Sequence, residues 1–309
     1  MRKISSQKGV AIILVLLIVA LATSLAAFMV TQQNLWQRQV ESQFDRTQAR
    51  RIGVAAIHWA RAVLSEDGRV NSYDHEKELW AMRLPAMPVD NGEVIGLIED
   101  RQGLFNLNNL VRNGAASPAD VAQFQHLLEI LSLPAELATA LVDWLDMDSE
   151  TQYPGGAEDV YYLALDQPYR AANRPLAELS ELSRVKGFDR RTIEMLSAYT
   201  TVLPTPGLIN VNFAPPEVLA AVMENVTLPE ARMIVLERAV QPFDSVASMQ
   251  TRMIAKGVKV TPQDLTQLTV SSEYFMVNGR AKVGRAQVVT QALLHRVSGW
   301  PSVVWQSVQ

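Results

Sequence analysis

From Gly9 to Gln37 the chain carries no charged residue, and between Val10 and Val30 only Thr23 and Ser24 are polar. As a helix rising ~1.5 Å per residue, that core covers roughly the ~30 Å of a bilayer's hydrocarbon. The stretch therefore either spans a membrane or is removed as a signal. Arg2, Lys3 and Lys8 precede it, and the small residues Ser24 and Ala26 fit a secretory signal cut after Ala26. Against removal there, Ala27 to Val30 continue the apolar run, and helical spacing extends through Val40, Phe44, Ile52, Ala55, Trp59 and Val63. Gly53 is the one helix-weakening residue of the Gly or Pro type between Val10 and Leu64. One helix of ~80 Å is the economical expectation, with its first half in lipid and its second on a soluble body. Arg38, Arg46, Arg50 and Arg51 lie beyond the run, but long domains cross largely regardless of charge, which places the short N-terminus in the cytoplasm.

At 309 residues, 48% hydrophobic and 19% charged, the chain can bury real cores in two or three domains. A net charge of -4 gives no electrostatic footprint for nucleic acid. The absence of cysteine excludes disulfides, thiol chemistry and thiolate zinc sites, leaving packing or bound ions to hold an exported protein together.

Glu66 to Gly92, punctuated by Pro85, Pro88 and Asn91, reads as a connection. Val94 to Ile98 then alternate, turn signals follow at Asp100 to Gly103, and apolar residues resume at Leu104, Phe105 and Leu107, which predicts a hairpin. From Ser117 to Leu203 the pattern is helical and no strand is expected; Ser117 with Pro118 marks one helix start. A second helical unit runs from Leu208 to about Gln267. Strand signals return from Ser272 to Val297, with a turn expected at Asn278 and Gly279, and again in "SVVWQSV". Because an isolated hairpin is marginal in water, the two strand regions should form one sheet packed on the long helix, with the helical units inserted into it.

Catalytic templates are missing: there is no G-x-S-x-G, H-E-x-x-H or phosphate-cradling glycine loop, and His58, His75, His126 and His295 are scattered. The segment "LINVNFAPPEVLAAV" to "PFDS" resembles helix-hairpin-helix modules, but its connection "MENVTLPE" has no glycine and carries Glu224 and Glu230, so it suits a structural role rather than DNA binding. "DWLDMDSETQYPGGAEDVYY" is more informative. Asp143 and Asp146 stand at a helix end, where the dipole disfavours negative charge, and Asp148, Glu150, Glu158 and Asp159 follow. Calcium takes 6 to 8 oxygen ligands of the kind such a loop offers; a solvated acidic loop is the competing reading. It is no EF-hand, since Thr151 stands where the turn glycine belongs and Ala157 where the last Glu would be.

"QKGVAIILVLLIVALAT" resembles a type IV prepilin-like leader, in which a prepilin peptidase cuts after the glycine (here Gly9) and methylates the new N-terminus (here Val10). Together with "EDRQGLFNLNNLV", "LVDWLDMD", "GGAEDVYY", "PYRAANRPLAELSEL" and "INVNFAPPEVLAA", the chain is similar over nearly its whole length to the K-type minor pseudopilins of type II secretion. The resemblance implies an α+β pseudopilin fold, a long helix on an antiparallel sheet with a large helical insertion, and no enzymatic activity. It implies a place at the tip of the periplasmic pseudopilus, anchored in the inner membrane, with the I-type and J-type minor pseudopilins and other pseudopilus subunits as partners and secreted substrate as a further candidate. It also implies a calcium ion, carried over to Asp146, Asp148, Glu158 and Asp159, with Asp143 and Glu150 as additional candidates. Most pilins carry Glu at the fifth position after the cut; this chain has Leu14, as the K type does not keep that Glu. That carboxylate pairs with the N-terminus of the preceding subunit inside an apolar filament, and a first subunit has no predecessor, so Leu14 fits a tip position. Leu also spares the ~2.5 to 3.5 kcal/mol that an acidic residue costs at mid-membrane.

The expected divisions are a leader at 1–9, a long helix at 10–66, a sheet domain from 67–109 and 270–309, and helical units at 110–205 and 206–269. The competing functional reading is a single-pass anchored or secreted periplasmic binding domain with a calcium-dependent helical module.

Overall fold

The computed structural model describes residues 8–83 and 85–309; the first seven residues of the expected leader lie outside them. The helix α1 runs from Lys8 to Val70, four residues past the expected end. Every side chain from Val10 to Val30 is exposed, so nothing in the protein covers the apolar segment. Its hydroxyls are satisfied within the helix: Thr23 and Ser24 donate to the carbonyls of Val19 and Ala20 at 2.9 and 2.8 Å, which lowers their cost in lipid. Burial begins near Ala49, and Ile57, Ala60 and Leu64 are fully enclosed.

The connection after α1 contains a strand the sequence reading did not separate, β1 (Met87–Val89), which turns through Asp90 and Asn91 into β2 (Gly92–Asp100). Asn91 takes the left-handed φ of 58° that such a turn requires. The turn expected at Asp100 to Gly103 exists, yet it closes no hairpin with β2. Asp100 accepts the Gly103 amide and redirects the chain, and β3 (Phe105–Asn106) enters the helical region. Gly103 itself sits so close to Phe213 that no side chain fits there. The small pair β4 (Val111–Arg112) and β5 (Ala115–Ala116) follows.

Next come α2 (Pro118–Ile130), α3 (Glu136–Leu145), α4 (Asp159–Tyr162), a 3-10 turn over Leu179–Arg184, and α5 (Arg190–Leu196). The Ser117 hydroxyl meets Asp120 rather than a backbone amide, whereas Asp189 caps α5 through the Thr192 amide at 2.7 Å. A short β6 (Thr200–Thr201), absent from the sequence expectation, pairs in parallel with β3. The chain continues through β7 (Ile209–Asn210), α6 (Pro216–Val222), α7 (Leu228–Val240), α8 (Val246–Ile254), α9 (Pro262–Leu265) and β8 (Leu268–Thr269), which pairs with β7. These helices share one apolar core, in which Phe105 and Phe124 stack at 5.6 Å.

β9 (Tyr274–Val283), β10 (Ala286–His295) and β11 (Ser302–Val308) complete an antiparallel sheet of order β1-β2-β9-β10-β11. The fold is α+β, a long helix on an antiparallel sheet, with the helical region entering between β2 and β9. Asn278 and Gly279 make no turn; they sit mid-strand in β9, paired on both sides, and the reversal comes at Gly284 with φ of 52°. Pairing with two neighbours overrides the local turn preference of Asn-Gly. Gly96, Gly279 and Thr290 lie opposite one another across three strands, and Gly53 of α1 meets the Thr290 hydroxyl so closely that a methyl group there would collide. At this slim row the helix and the sheet come into close contact.

Candidate metal centre

Nine successive residues of α3, Leu137 to Leu145, are buried, so the helix is anchored on all sides and its C-terminal end is fixed inside the helical region. That end holds Asp143 and, as the capping residue, Asp146. The chain then loops outward and returns at Gly155 and Gly156. Gly155 has φ of 95°, and a side chain on Gly156 would strike the Asp143 carboxylate and the Gln152 carbonyl. Glu158 follows as the residue capping α4.

Carboxylate oxygens of Asp146, Asp148 and Glu158 lie within 4.8 Å of one another. Asp146 and Glu158 are 1% and 2% exposed, and Asp148 is open to solvent. One oxygen of Asp146 and both of Glu158 are buried without any hydrogen-bond partner. No Lys, Arg or His pairs with these three or with Asp143 among the described residues. Asp143 stands behind the group, accepting the Gln152 amide at 3.1 Å. Burial, reinforced by Asp146 and Asp148, pushes Asp143 up to about 6. Burial and then Asp148 raise Asp146 to about 6, and burial followed by Asp143 and Asp146 raises Glu158 to about 7. Unpartnered buried carboxylates with elevated pKa values are groups that a hard cation with oxygen ligands would satisfy.

The other two residues named from the sequence go elsewhere. Asp159 accepts the Ala171 amide at 3.0 Å and pairs with Arg170 at 3.5 Å, and Glu150 is exposed, its amide donating to Asp148 at 2.8 Å. Two supporting residues were not singled out in the sequence. Lys186 donates to the Gly156 carbonyl at 3.1 Å and lies 4.9 Å from the Tyr161 ring centroid. Asn173 donates to the Asp148 carbonyl at 3.0 Å and keeps its own amide oxygen buried and unpartnered. Neither carries a spacing signal, because both reach the loop from outside it. A second acidic group, Asp67, Asp74 and Glu78, differs in having its own cation, since Arg296 pairs with Asp67 and Asp74.

A stem helix with an exposed apolar end, laid on an antiparallel sheet, is the architecture of a pseudopilin. Residues 103–205 and 209–271 each match a family model described as type II secretion system protein K. The chain is 34% identical to the type II secretion system protein K of Pseudomonas aeruginosa, covering 93% of this chain and 88% of that one. It is 33% identical to that of Pectobacterium carotovorum, covering 94% and 93%. A chain in the crystal structure of the GspK-GspI-GspJ complex from enterotoxigenic Escherichia coli superposes with a TM-score of 0.76 at 26% identity, covering 88% of this chain and 99% of that chain. The chain belongs to the type II secretion system protein K family and is a minor pseudopilin of that system. The likeness extends through stem, sheet and helical region alike.

Proposed function

We propose that this minor pseudopilin is the tip subunit of the pseudopilus, joining I-type and J-type minor pseudopilins to start or cap the filament and support export across the outer membrane. In this reading a prepilin peptidase cuts between Gly9 and Val10 and Val10 is methylated. The exposed segment from Val10 to Val30 then sits in the inner membrane and the sheet and helical regions lie in the periplasm. The observation that carries the tip position is Leu14, exposed within the bare apolar stem, where a carboxylate would serve only a subunit with a predecessor. The similarity to a chain from a K-I-J complex supports the choice of partners.

Calcium is the cation we assign to Asp146, Asp148 and Glu158. When bound it would supply the positive charge these carboxylates lack. Asp143 and Lys186 hold the loop in place through the Gln152 amide and the Gly156 carbonyl, and Asn173 holds the Asp148 backbone. Nothing in the arrangement offers a nucleophile beside a base, and the centre is read as structural.

The full chain, coexpressed with I-type and J-type minor pseudopilins, is expected to purify as a stoichiometric complex. Leu14→Glu is expected to leave the melting of the globular part unchanged while reducing secretion. Secretion and complex recovery both unchanged by Leu14→Glu would contradict the tip argument.

A further inference from the structure

The two edges of the five-stranded sheet are built in opposite ways. At one edge β1 is three residues long and contains Pro88, with Pro85 just before it, so it is short and lacks a donor at its centre. At the other edge β11, Ser302 to Val308, has no proline, and from Val297 to Gln309 no side chain is charged. Edge strands ordinarily carry a lysine, a proline or an inward-pointing charge that stops another chain from pairing, and β11 has none of these. Instead Val304 and Trp305, each 39% exposed, lie bare along it.

The register of β11 on β10 fixes which of its backbone groups are free. Val289 and Gln309 exchange both backbone hydrogen bonds, at 2.7 and 2.9 Å. In an antiparallel ladder such pairs alternate with pairs whose N–H and C=O point away from the partner strand. Ser307 lies opposite Gln291 and Trp305 opposite Leu293, so their groups face β10; Val308, opposite Thr290, and Gln306, opposite Ala292, turn theirs outward. No strand lies on that side, and no other group bonds to these two backbones among the described residues. Val304 is an extra residue that shifts the register between Leu293 and Leu294, so regular pairing on the free side spans Trp305 to Gln309. Beyond it, Arg61 of α1 donates to the Pro301 carbonyl at 2.7 Å and lies 5.2 Å from the Trp300 ring centroid. Its other polar contact is His58 at 3.3 Å, and no carboxylate pairs with it among the described residues.

We propose that the free edge of β11 is a strand-addition site. Its occupant is an extended segment of another polypeptide that pairs antiparallel with Trp305 to Gln309, lays apolar side chains beside Trp305, and carries an acidic residue where it passes Arg61. Main-chain bonds at Gln306 and Val308 supply the attachment. The acid completes the pair that Arg61 lacks, and the uncharged strand disfavours charge elsewhere in the segment. The site is independent of the tip position and of the cation at the acidic loop.

The test uses the full chain in detergent and an acetylated, amidated peptide in which Val and Thr alternate and the last residue is Glu. A length of about nine residues, at ~3.3 Å each, reaches from Gln309 to Pro301. Binding is expected to slow hydrogen exchange at the Gln306 and Val308 amides about tenfold and to leave Ser307, already bonded to β10, within about twofold. Gln306→Pro removes an amide that faces away from β10, so melting should shift by less than about 2 °C while peptide binding weakens about tenfold or more. Trp305→Lys, which keeps every ladder bond, should weaken binding as well. A peptide ending in Lys should bind about three to ten times more weakly than the one ending in Glu, and Arg61→Gln should remove that difference. No protection at Gln306 and Val308, binding unaffected by both edge variants, or equal affinity for the two peptides would overturn the inference. So would a dimer of the chain alone that Gln306→Pro abolishes, since the edge would then belong to a second copy.

Discussion

Adding saturating calcium to the metal-stripped full chain in detergent is expected to raise its melting temperature by roughly 5 to 10 °C. A ligand at a hundred times its dissociation constant adds about 2.7 kcal/mol by mass action, and about 2 to 4 °C accompanies each kcal/mol in a region of this size. The effect should depend on pH with a defined sign. Asp143, Asp146 and Glu158 sit at about 6, 6 and 7 in the metal-free fold, above the ordinary carboxylate range. The folded state then holds more protons than the unfolded chain between roughly pH 4 and 7, so metal-free stability falls as pH rises through that window. Calcium requires the ionised carboxylates, so its increment should grow from pH 5 to pH 7.5. Replacing Asp146 and Glu158 by Asn and Gln should abolish the increment and raise metal-free stability at neutral pH. A calcium effect that is absent, or no larger at pH 7.5 than at pH 5, contradicts the assignment.

Arg296→Met is expected to cost about 3 to 5 kcal/mol, the usual consequence of removing one partner from a buried ion pair. Arg296 donates to Asp67 at 2.7 Å, to the Leu64 carbonyl at 3.3 Å and to the Ser272 carbonyl at 3.1 Å, and it also pairs with Asp74. Its guanidinium lies 4.6 Å from the Phe275 ring centroid. One side chain thus ties the end of α1 to the chain beyond it and to the end of β10. Asp74 is 2% exposed, and burial already outweighs the arginine in holding its carboxyl above the ordinary range. Without Arg296 the buried Asp74 carboxyl would be driven further toward its neutral form. The penalty, read from denaturant unfolding, should shrink as pH is lowered, and Asp67→Asn with Asp74→Asn should recover much of it. A cost below about 1 kcal/mol would place Arg296 among surface pairs of little consequence.

Much of this was legible in the sequence. An uncharged run without proline fixed the stem, and the alternation of Val94 to Ile98 marked β2. The crowding of Asp143, Asp146, Asp148, Glu150, Glu158 and Asp159 around the end of an apolar helix marked the acidic loop in which three carboxylates converge. The misreadings share a cause. Asn278 and Gly279 have turn chemistry, but β2 and β10 pair with them from both sides, and no local pattern reports that. Asp100 to Gly103 does turn, toward the helical core rather than back along β2, because Phe105 and Asn106 find their partners at Thr200 and Thr201. Of six acids close in sequence, the three that converge are selected by the buried end of α3 and the close approach at Gly156.

The central claim, that the chain follows the pilin route into a filament tip, is tested most directly by the intact mass and N-terminal sequence of the protein purified from membranes of cells that contain a prepilin peptidase. The account predicts an N-terminus at Val10 bearing one added methyl group. An N-terminus near Ala27, or an uncut Met1, would contradict it.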